Sequence, residues 1–248
     1  MRPHFLAPIP HFGRGKNRLH VGHQQKSPYY WWWAYLRRNA DYIACCEQNG
    51  EGALAQLYKD FGDVREDNFH AWWTKDGRSV KLFSEKPLVT HLTELESVAD
   101  WNENWTAEDV MVVVVPLRVA KRRLKGQFAK LLENRHSGKQ GRPAVASQLC
   151  TAKYTLARNY TIPNLQTMLS VYDLWLENQS RAKEDKLALW QIGYELKLNA
   201  KAAKTATSTL KGGHVESRNI LAATVSRYVS QAKCIIANTA LGKFPSAN

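Results

Sequence analysis

The residues best suited to chemistry form an acidic group in the first third of the chain, with two histidines nearby. Hard divalent cations prefer clustered carboxylates, and such a cation could support nuclease chemistry. The group comprises Asp60, Asp63, Glu66, Asp67, His70 and His91. The order Asp-Phe-Gly-Asp, followed by Arg-Glu-Asp, is also typical of a capped turn that opens a helix, and this is the simpler interpretation.

No other pattern supports an enzyme. The sequence contains no glycine-rich phosphate loop, no Gly-x-Ser-x-Gly and no zinc-ligand spacing. Cys45 and Cys46 are adjacent, whereas Cys150 and Cys234 are isolated, so buried free thiols are expected and a disulfide framework is not. We therefore predict a protein without catalytic residues, metal ligands or cofactors.

Charge is distributed unevenly along the 248 residues, whose formal net charge is +13. The balance of Lys and Arg over Asp and Glu is +7 for residues 1–38, −9 for 39–117, +10 for 118–158 and +5 for 159–248. The third stretch favours a polyanionic partner, because each neutralised phosphate releases a condensed counterion. An acidic protein surface, such as the 39–117 stretch of a second copy, and an idle solubilising face are the alternatives.

The basic stretch opens with a predicted helix over 118–134. Apolar residues recur on it every three or four positions, at Leu117, Ala120, Leu124, Phe128 and Leu131. We expect this stripe to pack on a sheet and the cations to project outward, towards phosphates or simply into solvent. The predicted nucleic-acid contacts in this stretch are Arg118, Lys121, Arg122, Arg123, Lys125, Lys130, Lys139 and Arg142.

A predicted loop over 134–147 contains Gly141, Arg142 and Pro143. These residues resemble the Gly-Arg-Pro core of AT-hooks and of the arm of invertase-type recombinases. The resemblance implies that Arg142 enters a narrow minor groove, where the negative potential is enhanced. An ordinary turn is the alternative interpretation.

Two later segments resemble the helices of a helix-turn-helix: 192–196, which contains Gly193, and 224–228, which contains Ser226 and Arg227. A small residue permits close helix crossing, and Ser and Arg side chains can reach base edges and phosphates. The resemblance makes Arg227 a candidate for base contact. Because 27 residues separate the segments, and not a short turn, two packed helices are the favoured interpretation.

The most distinctive block is aromatic, with five consecutive rings at residues 29–33. Such rings, followed by Arg37 and Arg38, could stack on single-stranded bases, but core or interface packing is the favoured interpretation. A helix sends five consecutive side chains in all directions, so some must meet a partner or other parts of the chain.

The motif Trp33-x-Tyr35-Leu36-Arg37-Arg38-Asn39-x-x-Tyr42 resembles a short N-terminal motif of transcriptional regulators encoded by phages and integrative elements. It spans ten of 248 residues and assigns no functional residue.

The elements that position these residues indicate an α+β fold that is mostly helical, with a small sheet in the N-terminal half and a helical, basic C-terminal half. We predict that residues 1–26 form an extended basic arm that becomes ordered on a partner. Residues 27–117 predict an aromatic-rich α+β portion that begins with a helix at Ser27-Pro28. Its strands are expected at 79–84 and 110–117, the latter buried on both faces.

Residues 118–248 predict a basic helical portion. Its later helices are expected to begin at Pro163 and near Glu184 and to cover 216–240, while 199–213 is either a weak helix or a linker.

Together these features predict a non-enzymatic protein that binds nucleic acid, expected to be double-stranded DNA, as a regulator of a phage or mobile element. The alternative is a self-assembling phage or satellite scaffold, a homo-oligomer in which an acidic stretch docks on the basic stretch of the next copy. Neither a signal peptide nor a membrane-length apolar run is recognisable, so we expect no membrane partner and a cytoplasmic location, in a bacterial host cell or associated with a virion.

Overall fold

The structure is a computed structural model that describes residues 3–14, 17–18, 20–85, 92, 94–97, 105, 110–135, 151–157, 160–207 and 213–246. The chain forms two units, one combining residues 1–85 with 151–248 and the other consisting of residues 86–150. The second unit is therefore an insertion in the sequence of the first. The predicted fold class is confirmed, because the structure is mostly helical with short antiparallel strand pairs near the N-terminus.

Four short strands occur in the described part of the first unit: β1 (His4–Phe5), β2 (Gly13–Arg14), β3 (Asn17–Arg18) and β4 (Ser84–Glu85). β1 pairs antiparallel with β4, and β2 pairs antiparallel with β3. The rings of Phe5 and Phe12 pack against the aromatic core. The described part of the N-terminal arm is thus ordered on the chain itself.

Six helices lie between β3 and β4: α1 (Val21–Gln24), α2 (Pro28–Leu36), α3 (Ala40–Glu47), α4 (Ala55–Phe61), α5 (Phe69–Thr74) and α6 (Arg78–Phe83). The predicted helix start at Ser27-Pro28 is confirmed, since the Ser27 hydroxyl accepts a hydrogen bond from the Tyr29 N–H at 3.3 Å. Asn39 and Asn68 cap α3 and α5 in the same way.

The strand predicted over 79–84 is wrong, because most of these residues belong to α6. Ser79, Leu82 and Phe83 are buried, and their spacing of three and one matches one side of a helix. A 3-10 turn (Lys75–Gly77) precedes α6, and Gly77 ends it with a φ of 65°. Only Ser84, with Glu85, continues into a strand.

α2 is surrounded by other parts of the chain on every side. Eight of its nine residues are buried, and Trp32 is completely inaccessible. The Trp32 ring lies 5.2 Å from that of Phe83 and 5.4 Å from that of Phe244, measured between centroids. Core packing of the aromatic block is therefore confirmed, and the buried rings are not available to stack on bases.

The later helices are α7 (Lys121–Arg135), α8 (Ile162–Ser180), α9 (Leu189–Glu195), α10 (Ala200–Ala206) and α11 (Gly213–Ala240). α7 belongs to the inserted unit, and the other four belong to the first unit. The predicted helices near Pro163 and over 216–240 are confirmed. A 3-10 turn (Lys183–Asp185) stands where the sequence predicts that a helix opens, and α9 follows it.

α8 and α11 complete the core around α2 and α3. The Tyr35 hydroxyl donates a hydrogen bond to the Leu165 carbonyl oxygen at 2.9 Å, and burial raises the pKa of this tyrosine. The Asn39 side-chain amide donates to the Ile236 carbonyl oxygen at 3.0 Å. The first unit is thus one fold built from the two ends of the chain.

The prediction of a strand over 110–117 buried on both faces is wrong. These residues join no ladder, and the side chains of Val114 and Leu117 are 90% and 91% exposed. An apolar, β-branched run forms a buried strand only where neighbours bond its backbone, and no described residue does so here. The expected packing of α7 on a sheet also fails, since no residue of α7 is buried.

Candidate nucleic-acid interface

α7 is a 15-residue helix whose cations occupy most of its circumference. Its apolar stripe is only partly covered, with Leu124 and Phe128 half-buried and Leu131 42% exposed. At about 100° per residue, Arg122 projects from the side opposite Leu124, whereas Lys121 lies nearer to it. One carboxylate, Glu133, accompanies six cations: Lys121, Arg122, Arg123, Lys125, Lys130 and Arg135.

The first turn of α7 places three cations where the helix dipole is already positive. Lys121, Arg122 and Arg123 begin the helix, and this turn contains no acidic residue. A charge of the wrong sign at a helix end costs roughly 0.3–1 kcal/mol. The like-charged pair Lys121 and Lys125, four residues apart, is also unfavourable. The stability of the helix therefore does not explain why cations occupy these positions. A bound polyanion would offset both the unfavourable helix-dipole interaction and the repulsion between the two lysines.

The cations of α7 have no acidic partner among the described residues. All six side chains are exposed, and so is Arg118 in the turn before the helix. The ion pairs formed by the described residues, within 4.0 Å, all lie in the first unit. The charge of this helix is thus open to solvent and to ligands over the part of the chain that the structure covers.

The structure brings together six of the nine predicted contact residues. Arg118 lies just before α7, and Lys121, Arg122, Arg123, Lys125 and Lys130 lie on it. Lys139 and Arg142, together with the Gly-Arg-Pro triplet, fall outside the described residues.

Arg227 belongs to the other unit, on α11. Its side chain is exposed, with the guanidinium carbon 5.3 Å from the centroid of the Tyr228 ring.

The acidic group considered for metal binding is used in structural contacts. Asp60 accepts hydrogen bonds from the Lys153 ammonium at 2.6 Å and from the Tyr154 hydroxyl at 2.7 Å. Burial raises the pKa of Asp60, but these two hydrogen bonds, the positive charge of Lys153 and a hydrogen bond from Gln56 together outweigh burial, and the pKa lies below its ordinary value. Asp60 thus fastens residues 151–157 to α4.

The neighbouring residues Asp63 and Asp67 form ion pairs with arginines. Asp63 accepts hydrogen bonds from the Arg65 side chain and from its backbone N–H at 2.9 Å, and the Arg65 side-chain bonds lower the pKa of Asp63. Asp67 pairs with Arg37. Within the described ranges no three His, Cys, Asp or Glu residues are arranged to hold a metal ion, and His91 lies outside those ranges.

The two segments that resemble a helix-turn-helix pack against each other. Gly193 of α9 lies so close to α11 that a Cβ atom placed on it would be 3.1 Å from the Leu221 Cβ and 3.2 Å from the Leu221 carbonyl oxygen. The residues between the segments include α10, whose Ala202 and Ala206 are buried in a cluster with Leu221. The intervening sequence is therefore a third helix of the same packed unit.

Arg218 ties these three helices together. Its guanidinium carbon lies 4.3 Å from the centroid of the Trp190 ring on α9, and its Nε donates a hydrogen bond to the Ala206 carbonyl oxygen at 3.0 Å. The side chain thus stacks on one helix and caps the C-terminal end of another. Such contacts fix the orientation of α11 relative to α9 and α10.

Sequence reasoning missed how the cations of α11 are used: Arg218 packs on Trp190, and the Lys233 ammonium lies 4.1 Å from the centroid of the Trp175 ring. Residues 217–248 form a run of 32 without Asp or Glu that nevertheless contains Arg218, Arg227, Lys233 and Lys243. This run is visible in the sequence, but the side of the helix on which its members lie depends on packing.

Comparison of the chain with family models, curated proteins and solved structures finds no match. None of the described helices combines the length and apolarity needed to cross a bilayer.

Proposed function

We propose that this protein binds double-stranded DNA, without catalysis, as a transcription regulator or DNA-handling factor of a phage or mobile element. The observation that carries the proposal is the set of exposed cations on α7, for which the described residues supply no acidic partner. The motif at residues 33–42 adds the resemblance to regulators of phages and integrative elements.

A helix of this kind suits the phosphate backbone. A 15-residue helix is about 22 Å long, and a duplex carries one phosphate charge per about 1.7 Å of its axis. Arg122 and Arg123 can each offer a planar fork to phosphate oxygens, while the lysines act as point charges. If about five phosphates are neutralised, the logarithm of the association constant falls by about 4.5 per tenfold rise in salt.

The test is fluorescence anisotropy of a labelled duplex of mixed sequence across salt concentrations. We expect tight binding at low salt with a steep salt dependence, and loss of binding in Arg122→Glu/Arg123→Glu. The matched control is Lys75→Glu/Lys81→Glu, which makes the same charge change at two exposed lysines of the first unit. Absence of duplex binding by the wild type would contradict the proposal, and equal affinities for the wild type and the arginine variant would remove α7 as its binding surface.

A second candidate function, self-assembly, is favoured by the exposed apolar segment 110–117. Val112, Val114 and Val115 are 64%, 90% and 52% exposed, and the segment belongs to no ladder. Unpaired backbone groups in an apolar run can bond the same segment of another copy.

Sedimentation without nucleic acid tests this second candidate. Concentration-dependent oligomers that disappear in Val112→Lys/Val114→Lys would support it, and a monomer at all concentrations would exclude it. The matched control is Val80→Lys/Val215→Lys, at two other exposed valines.

A further inference from the structure

The inserted unit presents apolar side chains beside its cations. On α7, Leu124 and Phe128 are half-buried, while Leu131 and Leu132 are 42% and 36% exposed. These four residues recur at steps of four, three and one, which places them along one side of the helix. None of the apolar clusters that the described residues form includes a residue of α7. We call the four residues the α7 apolar stripe.

A second set of exposed apolar residues lies directly before the helix. The side chains of Val114 and Leu117 are 90% and 91% exposed. The Val119 N–H donates a hydrogen bond to the Pro116 carbonyl oxygen at 3.1 Å, so a turn joins this segment to α7. Single exposed apolar residues are normal on a protein surface, whereas neighbouring sets of them are typical of a surface that meets another molecule.

The charges of α7 are arranged around the stripe. At about 100° per residue, Lys121 and Lys125 lie beside it, whereas Arg122, Lys130 and the one carboxylate of the helix, Glu133, lie on the other side. A lysine in such a position can lay its aliphatic stem along an apolar surface and keep its ammonium group among polar groups. The helix is therefore amphipathic, with a cationic polar side.

A nucleic acid accounts for the cations of α7 but not for the apolar stripe. A duplex is bounded by phosphates and offers little apolar surface that could cover Phe128 or Leu131. The surface of an anionic bilayer offers both features, because its headgroups attract Lys and Arg and its acyl boundary takes up apolar side chains to a depth of about 5–10 Å. Helices that lie in this plane typically carry Lys and Arg on one side and Phe and Leu on the other.

An acidic protein with an apolar groove is the other kind of partner that combines negative charge with apolar surface. Such a groove fits the apolar residues of one helix. In this protein the exposed apolar residues lie both on α7 and on the non-helical segment before it. A fluid surface can accept both, because it does not require one fixed shape. The bilayer is therefore the partner that the exposed residues favour.

We infer that α7 lies on the surface of anionic lipid bilayers, with its apolar stripe at the acyl boundary and its cations among the headgroups. The inference goes beyond the proposed function and does not depend on it, although both ligands would use the cations of α7. Binding of this kind does not require a helix that crosses the bilayer. The expectation of no membrane partner, drawn from the sequence, considered only signal peptides and spanning segments.

The experiment is co-sedimentation of the full-length protein with phosphatidylcholine vesicles that do or do not contain phosphatidylserine. The wild type should bind the anionic vesicles and not the neutral ones. Phe128→Gln/Leu131→Gln should bind the anionic vesicles about tenfold or more weakly, because two side chains lose their apolar contact with the bilayer. Gln is a good helix former, so α7 should remain helical in this variant.

The matched control is Leu176→Gln/Ile220→Gln, at two aliphatic residues of the first unit that are 49% and 41% exposed. This control should bind the anionic vesicles like the wild type. The Phe128→Gln/Leu131→Gln variant should still bind the labelled duplex with wild-type affinity, because it keeps every cation. That measurement also shows that the variant is folded.

Two results would overturn the inference: a wild type that does not bind the anionic vesicles, and a Phe128→Gln/Leu131→Gln variant that binds them as tightly as the wild type. The first result would leave the acidic protein as the partner of the stripe. Binding to vesicles without binding to the duplex would support the inference and remove the proposed function. Binding to the duplex without binding to vesicles would do the reverse.

Discussion

The carboxylate of Glu85 binds Thr151 at two points. Its Oε2 accepts hydrogen bonds from the Thr151 N–H at 2.6 Å and from the Thr151 hydroxyl at 3.0 Å. The Ala152 N–H adds a third at 3.2 Å. Because residues 86–150 leave the first unit after Glu85 and rejoin it at Thr151, one buried side chain joins the two ends of the insertion.

Replacing Glu85 with Ala should destabilise the first unit by about 1–3 kcal/mol, because three donors at the base of the insertion lose their acceptor. Chemical denaturation monitored by tryptophan fluorescence measures the free energy of unfolding. Glu47→Ala, at an exposed glutamate on α3, is the control and should have little effect. If Glu85→Ala leaves the free energy of unfolding unchanged, water replaces the carboxylate as hydrogen-bond acceptor at no cost in stability.

Replacing residues 86–150 with a short Gly/Ser linker should leave the first unit folded. The two residues that the linker would join, Glu85 and Thr151, are hydrogen-bonded to each other, and Asp60 also holds Lys153. Closing the linker therefore costs little conformational entropy. Although Trp101 and Trp105 are removed with the insertion, we expect the near-ultraviolet circular dichroism bands of the buried tryptophans to persist and the thermal transition to be cooperative. A molten or aggregated product would show that the two units depend on each other.

Gly193→Ala should destabilise the protein by about 1–3 kcal/mol, because the added methyl group would lie 3.1 Å from the Leu221 Cβ and 3.2 Å from its carbonyl oxygen, closer than ordinary van der Waals contact. Gly126→Ala is the control, since a Cβ atom there meets nothing within 4 Å and Ala is the better helix former by about 1 kcal/mol. Gly193→Ala should lower the denaturation midpoint of the first unit, whereas Gly126→Ala, in the inserted unit, should not lower it. A stabilising Gly193→Ala would refute the close packing of α9 on α11.

Asp60 should make the stability of the first unit depend on acidic pH. Burial raises its folded-state pKa, but the hydrogen bonds from Lys153, Tyr154 and Gln56 and the charge of Lys153 together outweigh burial and lower it. The unfolded chain therefore binds the proton more tightly. The stabilisation is fully present above the unfolded pKa of about 4 and is lost as the pH falls through the folded value. Urea denaturation from about pH 2 to 7 should show this fall, and Asp60→Asn should reduce it. If the free energy of unfolding depends on pH in the same way in the wild type and in Asp60→Asn, the acid sensitivity comes from other carboxylates.

Local signals in the sequence predict the helices well. The helix start at Ser27-Pro28, the helix expected from Pro163 and the apolar periodicity of α8 and α11 are properties of short segments, and the structure has helices at each place. The strand predictions at 79–84 and 110–117 are wrong because a β-branched or loosely alternating run becomes a strand only when distant residues pair with it. The pairing between β1 and β4 joins residues 79 or more positions apart.

The candidate interface likewise has a part that can be predicted from the sequence and a part that cannot. The cations of α7 can be predicted from charge counting and periodicity, because they need no tertiary contact to be exposed. The exposed side of α11 cannot be predicted in this way, because α8, α9 and α10 together decide which side of α11 is buried. The sequence shows that Gly193 is a small residue, but only its closeness to Leu221 shows that it allows α9 to pack directly on α11.

The burial of α2 has a consequence for synthesis of the chain. Trp32 is enclosed partly by Phe244, which leaves the ribosome 212 residues later. At roughly 5–20 residues per second, this delay is about 10–40 s, during which the tryptophan-rich segment lacks part of its cover. The nascent protein therefore has a long interval in which chaperones can engage its most apolar helix.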